Sequence, residues 1–160
     1  MSAIASFIKL PKTALEGLRE AAVPKKRLFG APRDTYQEYL RRHGREIVAY
    51  EWSGYVLATL LTCLQKHHQI DLMHSEYDVL STFLAKSRGT TCFIFTSAHR
   101  RTCLAKLDEP FSEEKMRDYY NEFNSTTEEG AGKPMLDGVR AFRQSLNHLD
   151  DSSVILFSIG

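Results

Sequence analysis

Three groups of residues carry side chains capable of chemistry. In the first, Cys63 and His67 stand four positions apart, and His68, Asp71 and His74 follow closely. Positions i and i+4 of a helix share a face, so a thiolate and an imidazole placed there suit zinc. The neighbouring His67 and His68 point in different directions, however, and no second ligand pair has zinc-site spacing. Histidines in a last helical turn also interact favourably with its exposed carbonyls. The expectation is no bound metal and no cofactor.

The second group is Cys92 with His99. Cys92 sits among phenylalanines in an apolar run, whereas a nucleophilic cysteine needs an electropositive, partly exposed setting. The third is Glu51-Trp52-Ser53-Gly54-Tyr55, which holds the chain's single tryptophan at a strand-to-helix junction. Helix N-terminal amides bind anions, so Trp52 and Ser53 form a candidate ligand site. The plainer expectation is that Trp52 packs on the core and Ser53 caps the helix. No G-x-S-x-G, phosphate-binding glycine loop, H-E-x-x-H or dinucleotide fingerprint is present, so no catalytic residue is assigned.

Charge is a stronger pointer than any motif. The 160 residues carry 21 basic and 20 acidic side chains, a formal charge of +1, so no global field recruits nucleic acid or an anionic membrane. That near-neutrality is a sum of opposites. Pro24 to Arg45 holds seven basic residues against Asp34 and Glu38, and Asp108 to Glu129 holds eight acidic ones against Lys115 and Arg117. The plain account is two solvated faces. The sharper one is a partner-binding surface on the acidic segment, with candidate contacts Glu113, Glu114, Asp118, Tyr119, Tyr120 and Glu122. Carboxylates around tyrosines complement a basic protein, acting mainly on encounter rate and specificity. The basic segment lacks regularly interleaved stacking aromatics, although Phe29 and Tyr36 are present, so nucleic acid is the weaker option.

These side chains must be held by elements. Ala3 to Leu10 reads as a strand stopped by Pro11. Thr13 with Glu16 has capping-box spacing ahead of a short helix through Leu15, Leu18 and Ala22. Pro24 to Pro32 is a loop, Arg33 to His43 a helix ended by Gly44, and Glu46 to Trp52 a second strand. Ser53 to His67 is an apolar helix. Ser75 with Asp78 repeats the capping pattern before a helix ending at Arg88-Gly89. Thr91 to Thr96 is the clearest internal strand, Ser97 and Ser112 cap the next two helices, and Asn124 to Gly132 is a polar loop expected to be mobile. From Pro134, the stripe Met135, Val139, Phe142, Leu146, Leu149 marks a helix, and Val154-Ile155-Leu156-Phe157 a buried strand beyond it.

The strands and helices alternate unevenly, which predicts a single α+β domain over 1–160, with a small mixed or antiparallel sheet that includes both termini and is covered by several helices. Composition agrees: 42% apolar and 26% charged residues are ordinary for a globular domain of this length. Three cysteines without paired C-x-x-C spacing fit a reduced, cytosolic chain. No signal peptide or membrane span is apparent, since the longest mostly apolar window, near Tyr55 to Leu64, is too short for a bilayer.

The opening Met1-Ser2-Ala3-Ile4-Ala5-Ser6-Phe7 with Leu15 and Leu18, and the closing Phe142, Leu146 and Ser153-Val154-Ile155-Leu156-Phe157, together resemble the YfbM-like family of uncharacterised bacterial proteins. The resemblance covers the two ends; Glu51 to Tyr55 does not match the family's tryptophan-containing core motif. It implies one α+β domain and brings no catalytic residues with it. Small bacterial proteins of this kind are often similar to immunity proteins encoded beside toxins, by analogy only. The expectation is thus a bacterial cytosolic interaction protein that neutralises a basic toxin by stoichiometric binding. The alternative is a small ligand-binding or enzymatic domain using the Trp52-Ser53 turn.

Overall fold

In the computed structural model, which describes residues 3–160, four strands form one antiparallel sheet: β1 (Ala5–Pro11), β2 (Arg45–Glu46), β3 (Thr91–Phe95) and β4 (Ser153–Ile159). Met1 and Ser2, at the head of the family-like opening, lie outside the described residues. The spatial order is β2-β1-β4-β3. β4 runs the full length of β1, from Ala5 opposite Ile159 to Pro11 opposite Ser153, and pairs with β3 on its other edge. A strand buried on both faces and paired on both edges should be apolar throughout, and of β4 only Ser158 is not buried.

Seven helices cover the two sheet faces: α1 (Leu15–Ala21), α2 (Tyr36–His43), α3 (Gly54–His68), α4 (Asp78–Arg88), α5 (Ser97–Leu107), α6 (Glu113–Asn124) and α7 (Gly132–Asn147). Side chains alternate across a strand. Phe7, Phe95, Ile155 and Phe157 therefore point into a core shared with α3, α5, α6 and α7. Leu10, Cys92, Ile94, Val154 and Leu156 point the other way, against α1, α2 and α4. The fold is α+β in three layers. The predicted stripe on α7 is buried at Met135, Val139, Phe142 and Leu146, and its Gly138 permits close approach, since a Cβ there would lie 2.6 Å from Leu60 Cδ2.

Several boundaries differ from the sequence reading for identifiable reasons. The Thr13–Glu16 capping box does not form, because Pro11 leads straight from β1 into a 3-10 turn over Lys12–Ala14, leaving Thr13 inside it. Residues 33–35 do not join α2; Arg33 pairs with Lys25, and the Asp34 carboxylate accepts the Tyr36 amide at 3.0 Å. Gly44 is extended rather than left-handed, and its small size matters because a Cβ would meet Ile8 Cγ2 at 2.5 Å. The second strand shrinks to two residues beside β1. Thr96, not Ser97, caps α5, in a box closed by His99. The polar loop after α6 is fastened by Asn121, whose Oδ1 accepts from the Glu128 amide at 2.9 Å and whose Nδ2 donates to the Glu128 carbonyl at 3.1 Å. No helix among the described residues is long and apolar enough to cross a membrane.

Candidate functional site

The C-terminal half of α3 lies antiparallel to α6, and a cleft of about 500 Å³ opens between them. Its floor is sulfur and hydrocarbon: Cys63 and Met116 are buried, with their sulfur atoms 4.0 Å apart. Its wall is aromatic. His67 meets the Tyr119 ring edge-on at 5.2 Å, and His68 meets Phe111 at 4.8 Å. Its rim carries Lys115, Asp118 and Glu122, all exposed. α6 forms here because Ser112 caps it by accepting the Lys115 amide at 3.3 Å, while Glu113 and Glu114 offset the helix dipole in its first turn.

The aromatic stripe of α6 leaves the core towards its C-terminal end. Met116 is fully buried, Tyr119 is half-buried, and Phe123 stacks on Tyr119 at 5.9 Å while remaining 53% exposed. The last turn is held to α3 by a polar bond instead, Asn124 Nδ2 donating to Thr59 Oγ1 at 3.3 Å. An apolar ladder His67–Tyr119–Phe123 therefore reaches the surface beside Glu122, for which no ion pair is present among the described residues.

The other candidates on the acidic segment are divided by the helix period. Tyr120 turns 100° from Tyr119. It faces Tyr50 and Glu128, and burial, then Asp137, then Tyr120, push the Tyr50 hydroxyl well above the usual tyrosine range. Glu113 packs under Gly132 at the start of α7. Arg117 holds Asp118 at 2.8 Å and approaches Glu114 at 4.0 Å, and Arg143 holds Asp108 at 3.3 Å. Of the six predicted contacts, Asp118, Tyr119 and Glu122 share the cleft.

No family model, curated protein or solved structure matches the chain. Function must come from the chemistry of its own surfaces. The Trp52-Ser53 turn is largely committed to holding α3 and α7 together. Ser53 caps α3, accepting the Tyr55 amide at 3.4 Å. Trp52 is not packed in the core but 41% exposed, its indole N–H donating to Asp137 at 3.0 Å with Lys133 Nζ 5.3 Å from the ring. Lys133 and Arg140 pair with the same carboxylate at 2.9 and 2.7 Å and, with the indole, hold it below its ordinary range. The i, i+4 and i, i+3 spacing of Lys133, Asp137 and Arg140 was the available signal for this cluster.

Among the described residues no three His, Cys, Asp or Glu side chains converge as a metal cage. His74 instead bonds Asp71 at 2.8 Å, and His99 is engaged at both ring nitrogens. Burial pushes the Cys63 thiol up to about 11 and the Cys92 thiol up to about 12, against a nucleophilic role.

Proposed function

We propose that the protein is a cytosolic binding protein of the immunity type, which captures a basic partner protein in a stoichiometric complex at the α3–α6 cleft and so occludes the partner's active surface. The observation that carries this is the half-buried Tyr119 stacked on the exposed Phe123 beside the carboxylates of Asp118 and Glu122. Aromatic anchors in a cleft with a charged rim are the ordinary anatomy of a protein-binding hot spot. Kinship with the YfbM-like family, drawn from the two ends of the chain, belongs to the same proposal and is compatible with it. Tyr119 and the cleft's apolar floor supply the anchor pocket, and Glu122 and Asp118 steer the approach. Glu113 and Tyr120 contribute to the fold of the segment rather than to contact.

The test uses the purified products of the genes flanking this coding sequence, each titrated against the protein by calorimetry. A basic product is expected to bind one to one. Glu122→Lys with Asp118→Lys should leave the melting temperature within a few degrees, since exposed charges contribute at most about 1 kcal/mol each. The same pair should slow association about tenfold at low salt and flatten its salt dependence. Unchanged affinity in that variant would reduce the acidic face to a solvated surface and overturn the proposal.

A further inference from the structure

The basic segment forms a projecting finger. After α1, Lys25 and Arg33 exchange two backbone hydrogen bonds of 3.1 Å, closing a narrow loop that turns at Gly30, whose φ is +92°. At its tip Leu28 is 95% and Phe29 87% exposed. Every residue from Val23 to Asp34 is exposed, so none of the described residues covers them. Lys25, Lys26, Arg27 and Arg33 surround the tip. The base is anchored, because Arg88 bonds Asp34 at 2.6 Å and lies 4.6 Å over the Tyr36 ring. Two adjacent large apolar side chains held in water on an anchored loop need an occupant.

We infer that the occupant is the α3–α6 cleft of a second copy of this chain. The two surfaces are complementary in both respects that matter. An apolar Leu-Phe tip with a cationic collar faces an apolar cleft whose rim carries Glu122 and the Arg117-paired Asp118 against Lys115, within a segment of eight acidic and two basic residues, and the cleft's volume of about 500 Å³ lies within the range that takes small ligands. They cannot meet within one chain: the finger joins α1 to α2 on one side of the sheet, and α3 and α6 belong to the core on the other. The contact therefore joins two different surfaces of two copies, which either run head to tail into short chains or close on themselves, the smallest closed form being a two-fold pair with both fingers engaged. One finger buries little area, so association is weak and concentration-dependent. This inference rests on reading the cleft as a docking site and adds that the finger of another copy competes for it.

Sedimentation velocity of the full chain, at rising concentration and low salt, reads the outcome. The weight-average sedimentation coefficient should rise with concentration and fall back when salt is added. Leu28→Ser with Phe29→Ser changes only exposed side chains and should abolish the rise. Asp118→Lys with Glu122→Lys should abolish it from the other end. Mixed together, the two variants should form one-to-one pairs and nothing larger, because each retains one half of the contact. A wild-type monomer at every concentration, association that survives loss of the Leu-Phe tip, or failure of the mixed pair would each overturn the inference. Binding of the monomer to phosphatidylglycerol vesicles through the finger would do so too, giving the tip to a lipid surface. The finger variant leaves the cleft intact, so retained capture of a basic partner by it separates failure here from failure of the proposed function.

Discussion

Cys63, Cys92 and Cys103 are three thiols that the sequence places near histidines and the structure withdraws from chemistry. All three are buried, and Cys103 spends its hydrogen on the Asp71 carbonyl at 3.7 Å. Burial pushes the Cys63 and Cys92 thiols up, away from the thiolate that attacks, and all three sulfur atoms are screened from reagents in solution. At pH 8 none should react with a soluble disulfide reagent within minutes in the native protein, and all three should react after unfolding in guanidinium. One fast native thiol, traced to Cys63 by its alanine variant, would reopen the histidine-side cleft as a reactive centre. Trp52 and Ser53 show the same lesson in milder form. Types that suggest a ligand site are here used to fasten α3 and α7 through Asp137.

At the scale of elements, the start of α5 carries the clearest titration. His99 Nδ1 accepts the Thr96 amide at 3.0 Å, so Nε2 bears the proton it donates to the His74 carbonyl at 2.8 Å. Burial lowers the affinity of this ring for a second proton, while the His74 carbonyl, Asp71 and Asp78 pull the other way by less. An unfolded histidine titrates near about 6.5, higher than this one. Between the two values the unfolded chain binds more protons. The ring's contribution to stability is thus complete above about pH 6.5 and is lost as pH falls through that value towards the folded pKa. Thermal melts from pH 7.5 to 5 should show a steeper fall for wild type than for His99→Gln. The variant should also be about 1 kcal/mol less stable at pH 7.5, because a glutamine there can still accept the Thr96 amide but does not reproduce the ring's bond to the His74 carbonyl. Equal slopes would remove His99 from the acid response. The order of strands and helices was legible because each carries an apolar period or a breaker, as α7 and β4 do. The cap at Thr96 was misplaced by one residue because two neighbouring hydroxyls compete, and Thr96 wins through His99 three positions on, a ring whose orientation is fixed by the distant His74 carbonyl. The site was legible as acidic and aromatic, but not its division between Tyr119 and Tyr120, which depends on what α3 and α7 offer each side of α6. The exposure of Leu28 and Phe29 was invisible for the same reason: sequence gives their type, and only the fold shows that none of the described residues reaches them.

Across the whole molecule, β4 joins what the rest of the chain keeps apart. Without it β1 and β3 share no partner, and both cores lose a wall formed by Val154, Ile155, Leu156 and Phe157. Removing Ser153 to Gly160 should therefore abolish cooperative thermal unfolding. A truncated protein with an unchanged transition would show that the helical layers stand alone. The charge asymmetry also belongs to this scale: the cationic finger and the acidic rim sit on opposite sides of the sheet, and no ion pair among the described residues joins them. The position of β4 has a further consequence for how the protein comes into being. Ser6 and Ser158, bonded at 2.8 Å across the β1–β4 seam, lie 152 positions apart. A ribosome releases β1 first and β4 last of the elements described. Throughout that interval β1 and β3 emerge as apolar strands with open edges, the state most prone to mispairing. Closure of the sheet thus waits for β4, and shielding of β1 during that interval is expected to raise the yield of folded chain.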